Sequence, residues 1–78
     1  MNEENKESLS IILELLTDME LISLHSYLRL EYDGRMVRVD EVIDIDFPRG
    51  YKIDISFELP TVQFMTYIEL ELNQRNLN

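Results

Sequence analysis

His25 is the one histidine in the chain, so acid–base chemistry near neutral pH would have to start from it. With Ser56 and Asp44 it supplies the residue types of a nucleophilic triad. A working triad needs a pocket that excludes water and donors for a developing oxyanion. The alternation described below puts these residues on a flat sheet face, where a surface histidine is the better reading. Asp44, Asp46, Asp54 and Glu58 offer oxygen ligands for a hard cation. Calcium sites fold a loop around the ion, whereas Asp44-Ile45-Asp46 has the pattern of a strand and no glycine-containing ligand loop after it. A solvated acidic face is expected there, with no metal. There is no cysteine, which removes disulfides and thiolate metal sites. Gly34 and Gly50 are the two glycines and both sit in turn signals, so no phosphate loop is available. No cofactor is expected.

The chain has 78 residues, enough for a single domain (1–78) with loose termini at about 1–4 and 74–78. Its 7 basic against 16 acidic residues give a net charge of −9. That field repels nucleic-acid phosphates and anionic lipid and favours a basic partner. No run approaches the ~18 apolar residues of a membrane span. The acidic, polar start, Met1 to Glu7, does not read as a secretory signal. With the absence of cysteine, these features lead to the expectation of a cytoplasmic protein.

Among the elements that would position these side chains, Leu9, Ile12, Leu13 and Leu16 fall at helical spacing, widened by Ile11 and Leu15. A helix over about Glu4 to Asp18 follows. Thr17-Asp18-Met19-Glu20 has the form of a capping box, which allows a further short helical turn. From Ile22 the pattern alternates. Leu24, Leu28, Leu30 and Tyr32 share the parity of Ile22, and His25, Tyr27, Arg29 and Glu31 take the other. Asp33-Gly34 is a strong hairpin signal, and it would place Leu30 opposite Val37, Leu28 opposite Val39 and Leu24 opposite Ile43. A second turn at Pro48-Arg49-Gly50 would set Ile45 opposite Ile53, in a third strand over about Tyr51 to Leu59. After Pro60-Thr61, Val62, Phe64, Ile68, Leu70 and Leu72 alternate with polar residues. Met65, Ile68 and Leu72 also fit a helical face, but β-branched and aromatic content favours a strand. The predicted fold class is therefore α+β: an N-terminal helix packed on one face of a four-stranded antiparallel meander (αββββ).

In that arrangement the outer face of the sheet is oddly charged. Asp44 would stand opposite Asp54 and Asp40 opposite Glu58, like pairs that cost stability. Tyr27, Met65 and Tyr67 would lie between them as exposed apolar and aromatic contact area. The expectation is a non-enzymatic acidic protein-binding module. Asp40, Asp44, Asp54 and Glu58 would steer it onto a basic protein surface, such as the site of a nucleic-acid-binding enzyme, and inhibit by occupancy. In size and charge the chain resembles immunity proteins, antitoxins and phage-encoded inhibitors. That resemblance implies an inhibitory role without assigning any residue. The alternative is a structural homo-oligomer, for instance a homodimer, joined through the same face or an edge strand, and a small hydrolase-like enzyme ranks last.

Overall fold

The computed structural model describes residues 2–43 and 57–76. Asp44, Asp46, Asp54, Ser56 and the Pro48-Arg49-Gly50 turn lie outside the described residues. In chain order the elements are α1 (Glu3–Leu15), α2 (Asp18–Glu31), β1 (Met36–Arg38), α3 (Val39–Val42), β2 (Glu58–Pro60) and α4 (Thr61–Gln74). The protein is thus mostly helical, with a two-stranded antiparallel sheet. This overturns the one-helix, four-stranded meander.

The N-terminal helix forms where the sequence indicates one, but it ends at Leu15, and Asp18, its expected last residue, opens α2 instead. Asn2 caps α1, its Oδ1 accepting from the Asn5 amide at 2.8 Å, and Glu3 and Glu4 sit at the positive end of the helix dipole. It buries Leu9, Ile12 and Leu13. Leu16 leaves the helix in an extended conformation and is itself buried.

Thr17 then starts a 14-residue helix, where a strand was expected. Both halves of its capping box are made: the Glu20 amide donates to Thr17 Oγ1 (3.1 Å) and the Thr17 amide to Glu20 Oε1 (2.9 Å). Leu24 and Leu28 fit a period of two and a helical period equally well. The residues that separate the readings are Leu21, fully buried, and Leu30, which is 79% exposed. Leu21, Leu24 and Leu28 form an i, i+3, i+7 stripe. The expected pairing of Leu30 with Val37 is therefore wrong, although Val37 is buried.

Asp33-Gly34 does turn the chain, but from a helix into a strand. The Arg35 amide closes the turn onto the Tyr32 carbonyl at 2.9 Å, with Gly34 at φ +72°, where an L side chain is strained. β1 and β2 pair with Met36 opposite Pro60, Val37 opposite Leu59 and Arg38 opposite Glu58. The antiparallel sense matches the expected second and third strands, displaced by two residues from the register that set Asp40 opposite Glu58. A two-residue shift preserves the face of every side chain. It also puts a cation, in place of an acid, opposite Glu58.

Pro60 ends β2 and caps α4. The Thr61 amide and hydroxyl both donate to the Arg35 carbonyl, at 3.0 and 2.9 Å, which satisfies the buried Thr61. The segment after Pro60 is a helix, again where a strand was expected. It buries Thr61, Phe64, Ile68 and Leu72 at i, i+3, i+7, i+11, while Val62 and Leu70 of the alternating set are exposed. Burial of this stripe against α1 and α2 outweighs the β-propensity of single residues.

α2 and α4 run antiparallel. Arg75 reaches Asp18 (3.0 Å), His25 meets Glu69 (3.3 Å), and Thr61 meets Arg35. The core between the helices and the sheet contains Leu9, Ile12, Leu21, Leu28, Val37, Val39, Leu59, Phe64 and Ile68, each at least 99% buried.

Candidate partner-binding surface

The residues expected on one sheet face sit on separate elements. Tyr27 is on α2, Asp40 on α3, Glu58 on β2, and Met65 and Tyr67 are on α4. Asp44 and Asp54 lie outside the described residues. Met65 and Tyr67 are half-buried and pack against the core. Met65 borders His25 and Arg29, and Tyr67 borders Ser10 and Leu13 of α1. Neither joins Tyr27.

His25 is held by chemistry unlike that of a triad. Its Nε2 lies 3.3 Å from Glu69 Oε1, so the imidazole braces α2 against α4. Among the described residues no group of acidic and histidine side chains is arranged to hold a metal ion.

Asp40 and Glu58 do come together, around Arg38. The Arg38 Nε is 3.2 Å from Asp40 Oδ1 and 4.0 Å from Glu41 Oε1, and its Nη1 is 3.9 Å from Glu58 Oε1. The Asp40 hydrogen bond, then its charge, push the Arg38 guanidinium above its ordinary range; desolvation opposes them, and Glu58 and Glu41 add smaller upward pushes. Asp40, Glu41 and Glu58 are all exposed, so among the described residues three carboxylates share one cation.

Two tyrosines continue this surface. The rings of Tyr27 and Tyr32 pack edge-to-face with centroids 5.7 Å apart. The Tyr32 phenol is pushed up by its hydrogen bond to Tyr27, by partial burial, and by the Tyr27 and Glu41 charges, against the pull of Arg35. Tyr27 also lines a shallow concavity with Glu20, Ser23 and Val42. The result is an acidic rim beside exposed aromatic area.

Sequence reasoning missed Tyr32, Arg38 and Glu41 as members of this surface. A strand places Tyr27 and Tyr32 on opposite faces, whereas on a helix the Tyr32 ring can fold back beside Tyr27. The signal that could have found them was the Thr17–Glu20 capping box, which marks α2 as a helix. Compared with protein-family models, curated proteins and solved structures, the chain matches none.

Proposed function

We propose that this chain is a non-enzymatic, acidic protein-binding module that docks on a basic surface of a partner protein and inhibits by occupying it. The observation that carries this reading is the gathering of Asp40, Glu41 and Glu58 around a single Arg38, next to the Tyr27–Tyr32 pair. Surplus carboxylates speed encounter with a cationic partner, and tyrosines supply rigid contact area at little entropic cost. The net charge of −9 acts in the same direction at longer range. No helix among the described residues is long and apolar enough to cross a membrane. That and the cysteine-free composition favour a cytoplasmic site of action.

The test is association of a basic partner, captured by the wild-type chain, with Glu41→Lys, Glu58→Lys and Tyr27→Ala. The two charge reversals should slow association by about tenfold at low salt, with the deficit shrinking as salt rises. Tyr27→Ala should chiefly speed dissociation. Unchanged rates for all three variants would reject this surface as the docking site.

A further inference from the structure

α2 buries Leu21, Leu24 and Leu28, and the opposite side of the helix carries Met19, Ile22, Ser23, Ser26, Arg29 and Leu30, all exposed. Met19, Ile22 and Leu30 are 70%, 44% and 79% exposed. With Ser26 they recur at i, i+3, i+7 and i+11, a second stripe along the helix. Single exposed apolar residues need no explanation, but these are aligned, and the charge around them is sorted. The acids of α2 are Asp18, Glu20 and Glu31, and helical spacing places all of them off this stripe. On the other long helices the exposed apolar residues have carboxylates beside them. Ile11 and Leu15 share their side of α1 with Glu4 and Glu7, and Val62 and Leu70 share theirs on α4 with Glu69. In a chain of charge −9, the outer side of α2 is thus an apolar strip kept clear of acids.

We infer that this strip is the interface of a weak homodimer, in which α2 packs antiparallel on the α2 of a second copy. The residues are self-complementary in that arrangement. A two-fold axis level with the midpoint of Leu24 and His25 brings Met19 level with the partner's Leu30, and Leu30 level with the partner's Met19. Ser23 meets the partner's Ser26 at the centre, where small side chains let two helices approach to about 8 Å. Ile22 then fits over the partner's Ser26. Arg29 and Asp18, eleven positions apart, lie on the same flank of α2, and an antiparallel two-fold pair brings residues of the same flank together. Arg29 therefore stands within roughly 3 Å, along the helix axis, of the partner's Asp18, and the symmetry makes this pair twice. A parallel pair would instead set Arg29 on Arg29 and Asp18 on Asp18, so charge selects the antiparallel sense. The displacement of acids from the strip is what allows two chains of like charge to touch there. The strip is roughly 21 Å long. One helix face of that length buries less than the ~1,200 Å² of a durable interface, which sets the dissociation constant on the order of 100 µM.

The experiment is sedimentation equilibrium of the full chain from about 10 µM to about 1 mM, at low and high salt. The wild type should show a reversible monomer–dimer equilibrium that tightens as salt is raised. Screening relieves the repulsion between two copies of charge −9 by more than it weakens two exposed ion pairs. Leu30→Glu sets a carboxylate against the partner's Met19 and should weaken the dimer by about tenfold or more. Val62→Glu makes the same change of charge at an exposed apolar residue of α4 and should leave the dimer in place. Both positions are on the surface, so folding should be kept. A nitroxide on Glu31→Cys in one copy should broaden the amides around Asp18 of an isotope-labelled copy. Broadening centred on Glu31 marks a parallel pair and overturns the arrangement. A chain that stays monomeric at about 1 mM, a dimer that loosens as salt is raised, or one that Val62→Glu weakens as much as Leu30→Glu also overturns the inference.

Discussion

Arg75 shows how one side chain can close a small helical fold. Its guanidinium donates to the Leu13, Glu14 and Leu16 carbonyls at 3.0, 3.1 and 2.8 Å, at the end of α1, where the last carbonyls need partners from outside the helix and where Leu13 also accepts the Leu16 amide. It also meets Asp18 at 3.0 Å and Glu71 at 3.4 Å. One residue therefore fastens α4 to the junction of α1 and α2. Arg75→Met should destabilise by about 1–3 kcal/mol, since hydrogen bonds to a charged donor are worth more than neutral ones. Arg75→Lys should recover only part, because a point charge cannot fork to several carbonyls; urea unfolding of both variants checks this. At the start of α2, the Thr17 amide, then the Thr17 hydroxyl, hold the Glu20 carboxyl below the usual glutamate range, against slight desolvation. A lowered folded-state value adds stability above the unfolded glutamate range, and this is lost as pH falls through the folded value. Glu20→Gln should thus lower stability at neutral pH and shallow the acid limb below about pH 4.3. Parallel acid curves for the two proteins would show that the carboxylate does not contribute.

At the scale of elements, α2 makes a sharp contrast between neighbouring leucines. Leu28 is fully buried and Leu30 is 79% exposed. Leu28→Ala should cost about 2–5 kcal/mol, and Leu30→Ala less than about 0.5 kcal/mol. Similar losses at both positions in denaturant unfolding would restore an alternating strand. For α4, backbone chemical shifts over Phe64 to Leu70 should be helical throughout. The turn at Asp33-Gly34 and the antiparallel sense of the strands on either side of the 44–56 segment were legible in the sequence. The partner of the turn's first arm was not. The turn signal fixes a reversal through Gly34, and both a helix end and a hairpin need a residue at positive φ there.

Across the whole molecule, 16 acidic residues against 7 basic ones make self-repulsion a general cost of the compact state. Screening relieves it, since the Debye length falls to ~3 Å at 1 M salt. Stability should rise by about 1 kcal/mol between low and high salt, equivalent to roughly 4–8 °C in the thermal midpoint for a domain of this size. A thermal midpoint that falls with salt would show that ion pairs such as Arg75–Asp18 outweigh the general repulsion. Under the proposed function, salt should weaken docking at the acidic rim while stabilising the chain that carries it.

Composition determined the acidic field and the absence of disulfides and thiolate sites, and the order of the residues determined the first helix, whose apolar stripe follows acidic residues that suit its positive end. It also determined that Gly34 turns the chain. Tertiary structure decided which residues share a surface. Leu24 and Leu28 satisfy both periods, as do Phe64, Ile68 and Leu72, because positions four apart lie on one face of a strand and of a helix. The choice between them depends on what the stripe can bury against. Leu21, Leu24 and Leu28 meet Phe64 and Ile68 in one core, and that packing makes both segments helices. Once it does, Asp40 and Glu58 converge on Arg38 through a three-residue strand pair, and Met65 moves from the company of Tyr27 to that of Arg29. Local pattern sets what each segment is able to form, and the shared core sets which of those forms lowers the free energy of the whole chain.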